Sequence, residues 1–163
     1  MLACLCPVAV SAQQAAPADT LLNHLTGKWV LEGTIAGKNI RHDITAEWVL
    51  GHQYIELKET AKEKLANGQP SYDAIVFFCY NKAHNQYDCL WLDNTGTTDF
   101  DPKVVAHATP GPNTIALLFK MGNNTLFHTT LTFIPNENRW HWKLESDDNG
   151  KIEVFADAQM LRQ

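Results

Sequence analysis

Ile40-Arg41-His42-Asp43-Ile44-Thr45-Ala46-Glu47-Trp48-Val49-Leu50 (residues 40–50) alternates apolar and polar side chains, the pattern of a β-strand with one buried and one wet face. Ile40, His42, Ile44, Ala46, Trp48 and Leu50 fall on one face, and Asp43, Thr45 and Glu47 on the other. The rhythm extends in both directions. Upstream, Trp29, Leu31, Gly33 and Ile35 share a face, and Gly37-Lys38 makes a turn. Downstream, Gly51-His52 turns into a strand from 54 to about 62, with Ile55, Leu57 and Glu59 on the apolar parity. Seven more strand-like segments follow at 72–80, 87–93, 104–108, 114–120, 125–134, 139–146 and 151–162. Their connections include Asn67-Gly68, Pro110-Gly111, Asn123-Asn124, Pro135-Asn136 and Asn149-Gly150, all good turn chemistry. Short hairpin links favour a meander, and closing it removes the two edges an open sheet would expose. The expected fold is therefore all-β: a single up-and-down antiparallel β-barrel of about ten strands. A short helix over 21–25, capped by Asp19 or Thr20 and stopped by Gly27, precedes it. The barrel domain is expected to occupy residues 19–163.

At 163 residues the chain is long enough to bury one substantial core. Its net charge is −5 and its 13 Lys and Arg residues are scattered, so it has no basic face for nucleic acid. No apolar run approaches the roughly 20 residues of a membrane-spanning helix, so no transmembrane segment is expected. Residues 1–12 are apolar, uncharged and rich in small side chains, and they end in Val10-Ser11-Ala12, an A-x-A-like cleavage pattern. They are read as the remnant of an export signal, with residues 13–18 as a linker. The protein is accordingly expected to be exported, periplasmic or extracellular. The alternatives are an apolar tail packed on the barrel and a lipid anchor on Cys4 or Cys6.

Without residues 1–12 the chain keeps two cysteines, Cys79 and Cys89, flanking the polar turn at 81–86. If that turn centres near His84, they face each other across a hairpin, where an oxidising compartment could join them. Two buried free thiols are the alternative.

The inward parity is overwhelmingly apolar and includes Ile115, Leu117, Phe119, Phe127, Leu131, Phe133, Trp140, Trp142, Leu144, Ile152, Val154 and Met160. Many of these side chains must fill the lumen, yet a barrel this wide can hold one small ligand. His42 and Glu59 are the polar exceptions, opposite or diagonal across the Gly51-His52 turn. An inward His–Glu pair could anchor the polar end of a ligand or act as acid and base. It could equally be a satisfied pair at the rim, or the product of a bulge that shifts parity. The other histidines give no metal-ligand spacing, His128 and His141 falling on the outward face. Asp93, Asp99 and Asp101 lack calcium-loop spacing. No metal, cofactor or catalytic motif is recognisable.

The segment Gly27-Lys28-Trp29 with Gly33, paired with the late Arg162, resembles the opening and close of lipocalin-like (calycin) barrels. That resemblance implies structural roles for Trp29 and Arg162, the guanidinium lying over the indole at the closed end for about 0.5–2 kcal/mol. The stretches Glu47-Trp48-Val49-Leu50-Gly51 and Cys79-Tyr80-Asn81, with Tyr87 and Trp91-Leu92-Asp93, are similar to an exported bacterial lipocalin-like family of unassigned function. Cys79 and Asn81 depart from its usual Gly and Asp. More distantly, Gly27-x-Trp29 with Gly33 and Gly37 resembles nitrobindin-type haem barrels, whose axial histidine lies near the C-terminus. The last strand here has no histidine, which argues against haem.

The expected function is binding of a small, mostly apolar molecule inside the barrel, with Trp48, Phe119, Phe127, Phe133 and Trp142 as walls and His42 with Glu59 as polar contacts. The alternatives are an enzyme of isomerase or hydrolase type using that pair, and a filled-core structural or interaction module. A cavity of at least ~300 Å³ would favour the first two. For export, expression from an extended upstream start in a secreting host should give a mature N-terminus at or near Gln13 by Edman sequencing. Intact Met1 recovered from the cytosol would overturn it.

Overall fold

The computed structural model describes residues 20–96, 102–121 and 124–163. The proposed signal and linker, together with Asp99 and Asp101, lie outside the described residues. A six-residue helix, α1 (Thr20–Leu25), leads into ten strands. They are β1 (Gly27–Ile35), β2 (Lys38–Val49), β3 (Tyr54–Ala61), β4 (Asp73–Asn81), β5 (Gln86–Asp93), β6 (Val105–Ala108), β7 (Thr114–Lys120), β8 (Thr125–Ile134), β9 (Arg139–Asp148) and β10 (Lys151–Arg162). Each pairs antiparallel with the next, and β10 returns to β1 to close the barrel. The expected all-β, ten-strand meander with its short leading helix is the observed fold. Among the described residues no helix is long and apolar enough to cross a membrane.

The first and last strands meet at one end of the barrel. Trp29 is opposite Arg162 in the β1–β10 register, and the Arg162 Cζ lies 3.8 Å from the centroid of the Trp29 ring. Trp29 is fully buried, and its Nε1 donates to the Leu25 carbonyl at 2.7 Å. Trp140 Nε1 donates to the His24 carbonyl at 3.1 Å, and Arg162 Nη1 to that of Thr26 at 2.5 Å. A helix end leaves its last carbonyls unsatisfied, and here three barrel side chains take them up. Leu22 and Leu25 are turned into the core beneath the helix. Gly27 explains the Gly-x-Trp spacing: at φ +121°, a Cβ there would stand 2.1 Å from Arg162 Nη1. Gly33 lets β1 and β10 approach closely, since a Cβ there would meet the backbone oxygen of Asp157 at 2.2 Å.

Leu50, expected on the inward face, instead lies in the turn after β2 and is 72% exposed, and parity departs from the sequence expectation in two further places. A bulge between Val154 and Ala156 shifts the β9–β10 register, so Val154 pairs with Glu145 and Ala156 with Leu144. Ala156, Ala158 and Met160 therefore face inward, while Ile152 and Val154 turn out, 61% and 57% exposed. In the β4–β5 hairpin, Cys79 pairs with Asp88 and Phe78 with Cys89. The turn is centred half a step earlier than the opposed-cysteine reading requires, which puts Cys79 on the outer face and Cys89 in the core. The possible Cys79–Cys89 disulfide is thus corrected to two free thiols, with burial pushing both thiol pKa values up. The outward side chains of β4 are apolar too: Ile75 is exposed, and Phe77 and Cys79 are half-buried.

Arg162→Ala should destabilise the barrel by about 1–3 kcal/mol, through lost stacking and a carbonyl left without its donor. Urea denaturation followed by circular dichroism checks this; an unchanged midpoint at equal slope would contradict it.

Candidate functional site

The opposite end of the lumen holds the barrel's buried polar side chains. His42 on β2 is opposite Ala61, and Ile44 is opposite Glu59 on β3, so His42 and Glu59 meet on the diagonal. They are only 5% and 2% exposed, with His42 Nδ1 donating to Glu59 Oε1 at 2.5 Å. Tyr72, just ahead of β4, is held in place by the Ala61 amide donating to its carbonyl at 2.9 Å. Its ring stacks on the His42 imidazole, with centroids 5.6 Å apart and planes 19° from parallel. Trp91 Nε1 donates to the Tyr72 hydroxyl at 3.1 Å. Burial, then the carboxylates of Glu59, Asp93 and Asp73, push the Tyr72 phenol far above its usual pKa, outweighing the opposing Trp91 hydrogen bond. Tyr72 therefore stays a neutral hydroxyl.

An aromatic layer lies beside this group. The Trp91 ring on β5 stacks on Trp142 of β9 at 5.9 Å and 18°, and meets Phe119 of β7 edge-on at 6.3 Å. Below it lies a cavity of about 20 Å³ whose lining includes Leu31, Ile44, Leu57, Glu59, Trp91 and Trp142. That is room for about one water molecule. Two nearly fully buried polar atoms of lumen residues, Trp142 Nε1 and Thr129 Oγ1, have no hydrogen-bond partner among the described residues. A larger hollow of about 320 Å³ lies on the outer wall between Leu50, Tyr54, Phe77, Leu90 and Val105. Its one charged group, Asp88, already accepts from Asn81, Gln86 and His107.

The sequence-predicted residues divide between the two ends. His42, Glu59, Phe119 and Trp142 belong to one cluster, joined through Tyr72 and Trp91. Phe127 is at the same end, edge-on to Phe155. Trp48 is at the closed end: its Nε1 donates to Asn23 Oδ1 at 2.7 Å and its ring stacks on His52. Phe133 is there as well, stacked 4.1 Å from His24 under α1. Sequence reasoning missed Tyr72 and Trp91. Trp91 shares parity with the buried Tyr87 and Cys89, which was a usable signal; Tyr72 reaches the lumen from a connection, where alternation says nothing. Among the described residues no three His, Cys, Asp or Glu side chains converge to hold a metal ion.

Neither protein-family models nor curated proteins give a match to the chain. Among solved structures it resembles Rv2717c from M. tuberculosis, with a TM-score of 0.62 at 13% identity over 92% of this chain and 99% of that one. At that identity the likeness shows a shared fold, a closed barrel compatible with an internal ligand-binding cavity.

Removing one member of the buried pair isolates the other. His42→Leu should destabilise by about 3–5 kcal/mol, whereas His42→Leu combined with Glu59→Leu should return to near or above wild-type stability. Guanidinium denaturation of the single and double variants checks this. A single variant as stable as wild type would mean that water reaches the pair.

Proposed function

We propose that the protein is an exported lipocalin-like barrel that binds one small, mostly apolar molecule at the open end of its lumen. His42 and Glu59 would anchor the ligand's polar group, and Tyr72, Trp91, Phe119, Phe127 and Trp142 would surround its body. The observation that carries this reading is the buried imidazole–carboxylate pair. Well-packed apolar residues there would fold the barrel at least as well, and a costly polar pair in an apolar interior is the kind of local rule-breaking that marks a binding site. Trp29 under Arg162 supports the lipocalin-like element of the reading. The pattern of residues 1–12 supports export.

The cavity sets how a ligand enters. About 20 Å³ admits nothing larger than water, so a ligand must part the Trp91–Trp142 stack and take its place. The same small volume favours the filled-core module as a second reading, since ligand pockets are typically ~300 Å³ or more.

Intrinsic fluorescence separates the two. A panel of isoprenoids, aromatic dyes and fatty acids should include compounds that change tryptophan emission saturably at roughly micromolar concentration, about −8 kcal/mol. The change should persist in Trp48→Phe and fall sharply in Trp91→Phe. The absence of any saturable binder would leave the filled-core reading.

A further inference from the structure

The described residues at the open end constrain the charge of the ligand as well as its polarity. Glu59 is buried in the lumen wall, and Asp93 sits two residues beyond Trp91 on the same parity, opposite Ala74. Both carboxylates act on the Tyr72 phenol, as does Asp73. Among the described residues no buried or half-buried lysine or arginine faces this end of the lumen. Lys38 and Lys151 share the inward parity but are exposed at the rim. Arg41 and Lys62 are on the outer wall, paired with Glu32 and Asp43. Arg162 is exposed at the far end, its guanidinium over Trp29. Inside this part of the lumen His42 is, among the described residues, the one side chain that can carry positive charge, and its Nδ1 is already bonded to Glu59.

The walls add to this. Trp91 and Trp142 line the cavity beside Glu59, and Tyr72 and Phe119 join the same layer, stacked on His42 and edge-on to Trp91. Aromatic faces attract cations through the ring quadrupole, most strongly where water is excluded. An anionic head would instead meet Glu59 in a desolvated setting with no cation to offset it, and like charges at such a position oppose binding. Trp142 Nε1, buried without a partner beside the same cavity, is a donor, so it would take a water or an acceptor on the ligand's body and not the cationic head itself.

Building on the proposed ligand site, we infer that its ligand is an organic cation, an amine or quaternary ammonium on an apolar or aromatic body, held by Glu59 within the aromatic layer. Carboxylate-headed lipids are selected against. Loss of the Glu59 charge removes the preference, and His42 acts by orienting the carboxylate.

Three probes with one body and different heads test it: (2-naphthylmethyl)trimethylammonium, 2-naphthalenemethanol and 2-naphthoate, titrated by calorimetry into the full barrel. The ammonium should bind at least about tenfold more tightly than the carboxylate, the alcohol falling between. In Glu59→Gln, which keeps an acceptor for His42, that ratio should shrink to within about threefold. The wild-type comparison stands by itself should the variant fail to fold. Naphthoate binding as tightly as the ammonium, or more tightly, would overturn the cation inference and leave the ligand site in place. No binding of any of the three would overturn both.

Discussion

Three carbonyls at the end of α1 organise the barrel. Those of His24, Leu25 and Thr26 accept from Trp140, Trp29 and Arg162, which come from β9, β1 and the last residue of β10. A six-residue helix has no independent stability and would leave these groups unpaired against a buried surface. The barrel supplies their donors, and in return the helix covers the lumen with Leu22 and Leu25. Since the donors come from strands far apart in sequence, all three bonds exist together only in the closed barrel.

That arrangement leaves the other end free for chemistry. Trp48 and Phe133 are committed to holding α1, through Asn23 and His24. The open end has no comparable plug among the described residues. Its interior is instead closed by side chains stacked on one another: Tyr72 on His42, and Trp91 on Trp142. Stacked rings part more readily than a hydrogen-bonded backbone, which is why a nearly filled barrel is still compatible with a guest.

Alternation made the fold legible because most strands have one wet face. β2 shows it plainly, Asp43, Thr45 and Glu47 facing out and His42, Ile44 and Ala46 in. That parity alone places His42 and Glu59 on the inward faces of neighbouring strands. Parity fails wherever the backbone steps out of period. The bulge at Val154 to Ala156 adds a residue that composition does not announce, and it turned Ile152 and Val154 outward. The cysteines depended on a half-step in where one hairpin turns, and a six-residue polar turn does not specify its own centre. Phe133 and Trp48 were read correctly as apolar side chains on the inward parity, but parity gives a face and not a depth. Which end of the lumen each residue reaches follows from shear and register, properties of the closed sheet. Tyr72 escaped notice for a simpler reason: it lies outside any periodic segment.

The wall itself is uneven. Most neighbouring strands share seven or more register pairs, whereas β6 and β7 share one, His107 with Leu118. Local opening costs least where the fewest backbone bonds must break, so this seam is the soft line of an otherwise continuous cylinder. Phe119, the edge-on partner of Trp91, directly follows Leu118 on the same strand. Opening of the seam would therefore loosen the aromatic layer from the side, through a few backbone hydrogen bonds in the wall and not only through the mouth.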